Sequence, residues 1–120
     1  MPAQSDTLRD RIFRSSEINL TVTGRKSGRA ISRPVWFVLE DKTLYLLPVQ
    51  GSDTQWYQNV LKNPSIRIAT RGAEAELKVI AVTDAKQVSS VVEKFRAKYG
   101  AEDVKKYYPK TDVAVFASLA

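Results

Sequence analysis

The feature that most constrains this chain is a series of short segments with two-residue alternation, separated by turns that allow little but antiparallel return. In Glu17–Thr23, Ile18, Leu20 and Val22 fall on one face and Asn19, Thr21 and Thr23 on the other, the pattern of a half-buried strand. Gly24 and Gly28 bound the turn Arg25-Lys26-Ser27, and Ala30–Leu39 reads as a second strand, so the two form a hairpin. Pro34 cannot donate to a ladder and marks an edge, a bulge or a bend. Asp41-Lys42 turns into a third strand, Leu44–Leu47. Ser65–Thr70 and Glu74–Val82 follow as a pair across Arg71-Gly72-Ala73, and Asp112–Leu119 is the sixth strand. Ile80 and Val82 interrupt the polar face of the fifth, which predicts burial of that end on both sides.

Helices punctuate this pattern. Asp53 or Thr54 can cap a short one, Gln55–Leu61, which Asn63-Pro64 ends. Asp84 caps the longest, Ala85–Tyr99, where Val88, Val91, Val92, Phe95 and Tyr99 form one apolar stripe and Gly100 stands at the end. A short N-terminal helix, capped by Ser5 or Asp6 after a mobile polar opening, carries Leu8, Ile12 and Phe13, and a helical turn runs from Glu102 to Tyr107. The expectation is one mainly β domain over the 120 residues. It has six mostly antiparallel strands, one main helix before the last strand and a short helix between strands three and four. Six strands would leave costly edges, so partial closure into a small barrel is expected.

Composition then narrows the chemistry. The chain contains no cysteine and no histidine, which excludes a thiol nucleophile, a cysteine zinc site, a histidine base and a Ser-His-Asp triad; no metal site is expected. The net charge is +6, and part of it is local. Arg25, Lys26, Arg29 and Arg33 lie between Glu17 and Glu40 with no acidic residue among them. Backbone amides around a glycine-bounded turn can form an anion nest, Ser27 adds a hydroxyl, and the cations suit phosphate or carboxylate; a solvated hairpin turn is the alternative. The spacing is not that of a Walker A loop.

Trp36 and Phe37 point to opposite faces, so one belongs to the core and the other can line a groove. Trp56-Tyr57 opens the short helix, where free amides make a second polar or anionic site. Alternatively, Trp56, Val60 and Leu61 are that helix's core face. Tyr99, Tyr107 and Tyr108 cluster late, and a phenol can donate a proton. Glu74 and Glu76 share a strand face that reads as exposed, with no catalytic role. No run is long and apolar enough to span a bilayer, and the N-terminus lacks a signal-peptide core, so a cytoplasmic protein is expected. Basic residues concentrated in one turn, without an RNA-binding motif, argue against a nucleic-acid partner. An enzyme built on this chain must borrow its chemistry from a cofactor.

The segments LTVTGRKSG, PVWF and GSDTQWYQNVLKNPSIRI, in that order, resemble the deazaflavin (F-420)-dependent nitroreductase family, within the split β-barrel flavin and deazaflavin oxidoreductases. The resemblance is close from about Ile18 to Ile68. It implies an FMN-binding-split-barrel-like fold, a homodimer, and a groove holding coenzyme F-420 or, alternatively, FMN. The turn matching Arg25, Lys26 and Ser27 would hold the anionic tail. The strand matching Ser32, Arg33, Pro34, Val35 and Trp36 would run along the cofactor. Val49, Gln50 and Gly51, and the helix start matching Trp56, Tyr57 and Asn59, would complete the groove. The implied reaction is hydride transfer from reduced F-420 to an electron-poor small molecule, with Tyr107 and Tyr108 as catalytic candidates. The chain departs from the family pattern in three places. Gln50 lies in a segment where a lysine is common, Arg33 is displaced along its strand, and Glu102 falls where a tyrosine is usual. The same barrel with FMN, haem or another ligand, or a non-enzymatic binder, is the alternative.

Overall fold

A computed structural model describes residues 8–119, with side chains from Arg11 onward. The caps expected at Ser5 or Asp6, the polar opening and the Leu8 side chain lie outside the described residues. The element order is α1 (Leu8–Phe13), β1 (Ile18–Thr23), β2 (Ala30–Val35), β3 (Val38–Glu40), β4 (Thr43–Leu46), a 3-10 turn (Gly51–Asp53), α2 (Gln55–Lys62), β5 (Ser65–Thr70), β6 (Ala73–Val82), α3 (Ala85–Tyr99), α4 (Ala101–Tyr107) and β7 (Ala114–Ser118).

Among the described residues there are seven strands rather than six, because the expected second strand is two. β2 ends at Val35 and β3 begins at Val38, and they lie at opposite ends of the sheet order β2-β1-β5-β6-β7-β4-β3. Only Trp36 and Phe37 join them, so the sheet has to curl until its two edges meet at that corner. The break has a physical cause. The Phe37 N–H donates to the Tyr99 hydroxyl at 3.1 Å, and the Phe37 carbonyl accepts from Lys98 Nζ at 2.9 Å. Both backbone groups are thus withdrawn from the ladder by side chains of α3. The opposite corner is β6, whose first part pairs with β5 (Ser65↔Lys78 to Thr70↔Ala73) and whose end pairs with β7 (Val79↔Ala117 to Val82↔Ala114). All the strand pairs are antiparallel. The result is mainly β with helices, a curled half-barrel.

The turns follow local chemistry. Arg71 and Gly72, both at positive φ (50° and 81°), make the two-residue loop between β5 and β6, the geometry that matches strand twist. Pro34 sits on β2, which pairs only with β1 and is an edge strand exposed over most of its length. Asp84 caps α3 as expected, accepting from Gln87 N at 3.0 Å, and Gly100 ends it at φ 97°. At α2 Thr54 holds the cap position without a side-chain cap bond; its hydroxyl accepts instead from Gln50 N at 2.7 Å.

Two apolar clusters hold this frame. One fills the curl, with Ile18, Leu20 and Val22 of β1, Ile66 and Ile68 of β5, Phe37, and Ile12 of α1 as a plug. The other lies under α3 and α4 and joins Val88, Val91, Val92 and Phe95 to Val38, Val82 and Tyr108. Burying each such aliphatic side chain contributes about 1.5–3 kcal/mol. Three expectations fail at the surface. Ile80 is 68% exposed rather than buried on both sides, and Phe13 and Leu61 are exposed although their helices bury Ile12, Trp56 and Val60. Ile80 stands outside the cluster under α3, whereas Val82, two residues on along the same face of β6, is buried in it as expected. Glu74 and Glu76 are exposed, Glu76 standing opposite Arg67.

Candidate functional site

A cleft opens beside the β2–β3 corner and consists of two joined chambers. The larger, about 560 Å³, is walled by Pro34, Val35 and Trp36 on one side, by Leu47, Val49 and Trp56 on another, and by Tyr107 and Tyr108 at the end of α4. The smaller, about 350 Å³, lies between the Gly24–Gly28 turn and the start of α2, and includes Lys26, Gln55 and Asn59. Arg33 and Trp56 belong to both chambers. An apolar compartment therefore runs into a basic one through a junction carrying a guanidinium and an indole.

The junction holds an unmet hydrogen-bonding group. Trp56 is 2% exposed, and its indole N–H has no partner among the described residues. An orphaned buried donor costs about 1–3 kcal/mol. α2 begins there without a side-chain cap, so the positive end of its dipole adds to Arg33.

The basic turn differs from the nest of free amides read from its glycines. Arg25 N donates to Asn59 Oδ1 at 3.1 Å, Gly28 N to Gly24 O at 2.9 Å, and Arg29 N to Ser27 Oγ at 3.1 Å. The Arg25 guanidinium is committed as well, to Asn59 Oδ1 at 2.8 Å and Gln55 Oε1 at 2.9 Å. Asn59, buried and polar, is thus the clamp that seats the turn on α2. The side chains of Lys26 and Arg33 have no hydrogen-bond or ion-pair partner among the described residues, and they carry the charge that remains for an anion.

Trp36 is held rather than free. It stacks on Tyr99 with ring centroids 4.2 Å apart and planes 7° apart, and meets Tyr107 edge-on at 5.5 Å. The Tyr99 hydroxyl accepts from Phe37 N and lies 2.7 Å from the Ser16 carbonyl and 2.9 Å from that of Phe37, its one proton serving one of them at a time. Burial pushes the Tyr99 phenol up to about 12. Burial likewise raises Tyr108 far above the ordinary phenol value, so its hydroxyl stays protonated. Lys98, with its ammonium 3.5 Å from the Phe37 ring centroid, is pulled down by desolvation to about 8.

Of the residues singled out in the sequence, the cleft collects Arg25, Lys26, Ser27, Arg33, Pro34, Val35, Trp36, Val49, Trp56, Asn59, Tyr107 and Tyr108. Of the pair Trp36-Phe37, Phe37 is the core residue and Trp36 the cleft wall. Four candidates lie elsewhere. Ser32 bonds Thr21 through its hydroxyl at 2.6 Å and lines neither chamber. Tyr57 is in the barrel core, its phenol raised by burial and by the Asp112 carboxylate. Gln50 and Gly51 form a turn behind the cleft. Sequence reasoning missed Glu17, Leu47, Thr54 and Gln55, which line the chambers. Glu17 and Thr54 flank elements whose local pattern assigns them only to strand and helix starts.

Comparison with known proteins adds the following. A family profile described as "Uncharacterized protein conserved in bacteria (DUF2255)" matches residues 9–115. No curated protein matches the chain. Among solved structures the chain is similar to an F420-H2 dependent reductase (FDR-A), with a TM-score of 0.66, 17% identity, and coverage of 86% of this chain and 94% of that one. It is similar to a structure described as a domain-swapped dimer, with a TM-score of 0.66, 22% identity and coverage of 86% and 79%. It is also similar to the heme storage protein HutZ from Vibrio cholerae, with a TM-score of 0.69, 14% identity and coverage of 88% and 81%. At these identities the likeness is one of fold. No described helix is long and apolar enough to cross a membrane.

Proposed function

The chain belongs to the DUF2255 family of uncharacterized proteins conserved in bacteria, and we propose that this member is an oxidoreductase whose two-chamber cleft holds a deazaflavin of the F-420 type. The observation that carries the reading is the junction: an apolar chamber suited to a flat ring continues, through Arg33 and the orphaned Trp56 N–H, into a chamber suited to an anionic tail. The likeness to an F420-H2 dependent reductase supports it. When bound, reduced F-420 supplies hydride to an electron-poor small molecule, a step for which a chain without histidine or cysteine offers no group of its own.

The side chains have definite tasks. Lys26 and Arg33 bind the tail, and the Trp56 indole N–H donates to an acceptor between tail and ring. Val35, Leu47 and Val49 keep water from the larger chamber, and Trp36, fixed by Tyr99, forms a rigid wall. The Tyr108 hydroxyl serves as a hydrogen-bond donor that does not ionise. Tyr107, 47% exposed and in the same chamber, carries the proton that accompanies hydride and regains it from solvent.

A second reading rests on the cation count. With the Arg25 guanidinium tied to Asn59 and Gln55, and Gln50 outside the cleft, Lys26 and Arg33 match a single phosphate, as in FMN. The likeness to a heme storage protein keeps haem among the ligands to test. The reading includes a second copy of the chain, joined through the exposed edge strand β2.

The test uses the cleft's own reporters. Both tryptophans of the chain, Trp36 and Trp56, line the larger chamber, so all tryptophan emission comes from it. Titration with F-420, FMN and haem is expected to quench that emission. Arg33→Ala and Lys26→Ala are expected to weaken the tightest ligand roughly tenfold each, with melting unchanged. Unchanged emission with all three ligands at high micromolar concentration overturns the reading.

A further inference from the structure

The connection between α4 and β7 is fastened to the Gly51–Asp53 turn by a set of bonds that the cleft reading does not use. Asp112 accepts from Ser52 twice, from the amide at 3.0 Å and from the hydroxyl at 2.6 Å. Lys110 Nζ donates to Asp53 at 2.9 Å and lies 3.9 Å from Asp112. Gln50 and Lys110 form a parallel backbone bridge. Gly51 fits against this strap only because it has no side chain. Its φ is 55°, and a Cβ there would stand 2.0 Å from Asp112 Oδ1 and 2.9 Å from Lys110 Cγ.

The position of this fastening in the fold gives it a consequence. The turn it grips lies between Val49 and Thr54–Trp56, which form one wall of the larger chamber. The strap it grips follows directly on Tyr107 and Tyr108, which line the same chamber. β4 and β7 are paired from Leu46↔Val115 toward the other end of the strands, so on the cleft side the strap adds a hydrogen-bonded tie between the walls to the apolar packing of Leu47 and Tyr108. We infer that Asp112 is a positioning residue for the cleft, and that its latch on Ser52 sets the gap between the Trp56 wall and the Tyr107–Tyr108 wall. Its effect on a ligand rests on the reading of this cleft as the binding site; its effect on the gap does not.

The two claims separate experimentally. In ligand-free protein, Asp112→Ala, which removes both bonds from Ser52, is expected to speed amide hydrogen exchange across residues 107–113 by about tenfold or more. It is also expected to raise acrylamide quenching of the cleft tryptophans, with an unchanged circular dichroism spectrum. Asp112→Asn, which keeps an acceptor for the Ser52 amide, is expected to restore most of the protection, as an element that merely needed charge would not. Ser52→Ala, which removes only the hydroxyl bond, is the milder variant should Asp112→Ala fail to fold, and its effect is expected to be smaller and in the same direction. Exchange and quenching like those of the wild type in Ser52→Ala and in folded Asp112→Ala overturn the inference. With FMN and F-420 as probes, the folded latch variants are expected to bind more weakly. If the wild type binds neither probe while the latch variants still open the cleft, the functional reading fails and the latch stands.

Discussion

Replacing Gly51 by alanine puts the latch geometry under the strictest test. The backbone at φ 55° is left-handed, which costs an alanine about 1 kcal/mol relative to glycine. The added Cβ, 2.0 Å from Asp112 Oδ1, also has to displace that carboxylate and with it two bonds from Ser52, at about 1 kcal/mol each on an exposed surface. The expected loss is about 3 kcal/mol, or roughly 10 °C in melting temperature for a chain of this size. Gly28→Ala is the control. Gly28 has φ 70° with nothing within 4 Å of a built Cβ, so only the backbone cost of about 1 kcal/mol remains. A double-mutant cycle sharpens the argument. In an Asp112→Ala background Gly51→Ala is expected to cost about 1–2 kcal/mol, with Lys110 still close, a coupling of about 1–2 kcal/mol. Urea unfolding of the four proteins of the cycle and the control measures it. Additive effects, or a Gly51→Ala no worse than Gly28→Ala, would refute the steric reasoning.

Other perturbations follow from the same structure. Tyr99→Phe removes the hydroxyl that accepts from Phe37 N and reaches the Ser16 carbonyl; an equilibrium urea titration is expected to show a loss of about 1–3 kcal/mol, together with a shifted Trp36 emission. Lys98 has its folded value lowered to about 8 from 10.5, so the unfolded chain binds more protons between those values and the Lys98 contribution to stability rises with pH there. Lys98→Met is expected to flatten that rise, read between pH 8 and about 9, below the ordinary phenol value of 10.0. For Asp112, desolvation raises the carboxyl, but the bonds from Ser52 and the charge of Lys110 outweigh it and hold it below 3.8. Its contribution is therefore present above pH 3.8 and lost as pH falls through the folded value, a loss that Asp112→Asn is expected to abolish in acid unfolding curves. Asn59→Leu leaves Arg25 N and its guanidinium without their acceptor and is expected to cost about 2–3 kcal/mol in thermal unfolding, and to weaken binding of any anionic cleft ligand.

What could be read before folding was local. β5 and α3 have the bounds their periodicity predicts, β1 lacks only Glu17, and Asp84, Gly100 and Gly72 do at the element ends what their chemistry favours. The turn Arg25-Lys26-Ser27 and the segment around Trp36 stand out in the sequence as candidates for an anion and a ring, and the structure brings them to adjoining chambers. The failures share a cause. Ala30–Leu39 reads as one strand with at most a bend at Pro34, and it breaks instead at Trp36-Phe37, where Lys98 and Tyr99, some sixty residues away in sequence, take the backbone groups of Phe37. The amides of the basic turn look free until Asn59 is seen to use one of them. Tyr57 and Trp56 are neighbours on one helix and both are buried in the core, yet only Trp56 also lines the cleft.

By itself the sequence determined the strand-rich class, the placement of the main helix, the local concentration of positive charge and the lack of any histidine or cysteine chemistry, because alternation, turn preference, charge and residue type act within a few bonds. Tertiary structure alone decided which edges meet, which cations remain unpaired, where the indole N–H is left without a partner, and that a strap from residues 110–112 ties the walls of the cleft. Those outcomes depend on side chains far apart in sequence competing for the same backbone groups and charges, and that competition is settled only when the sheet curls and brings them together.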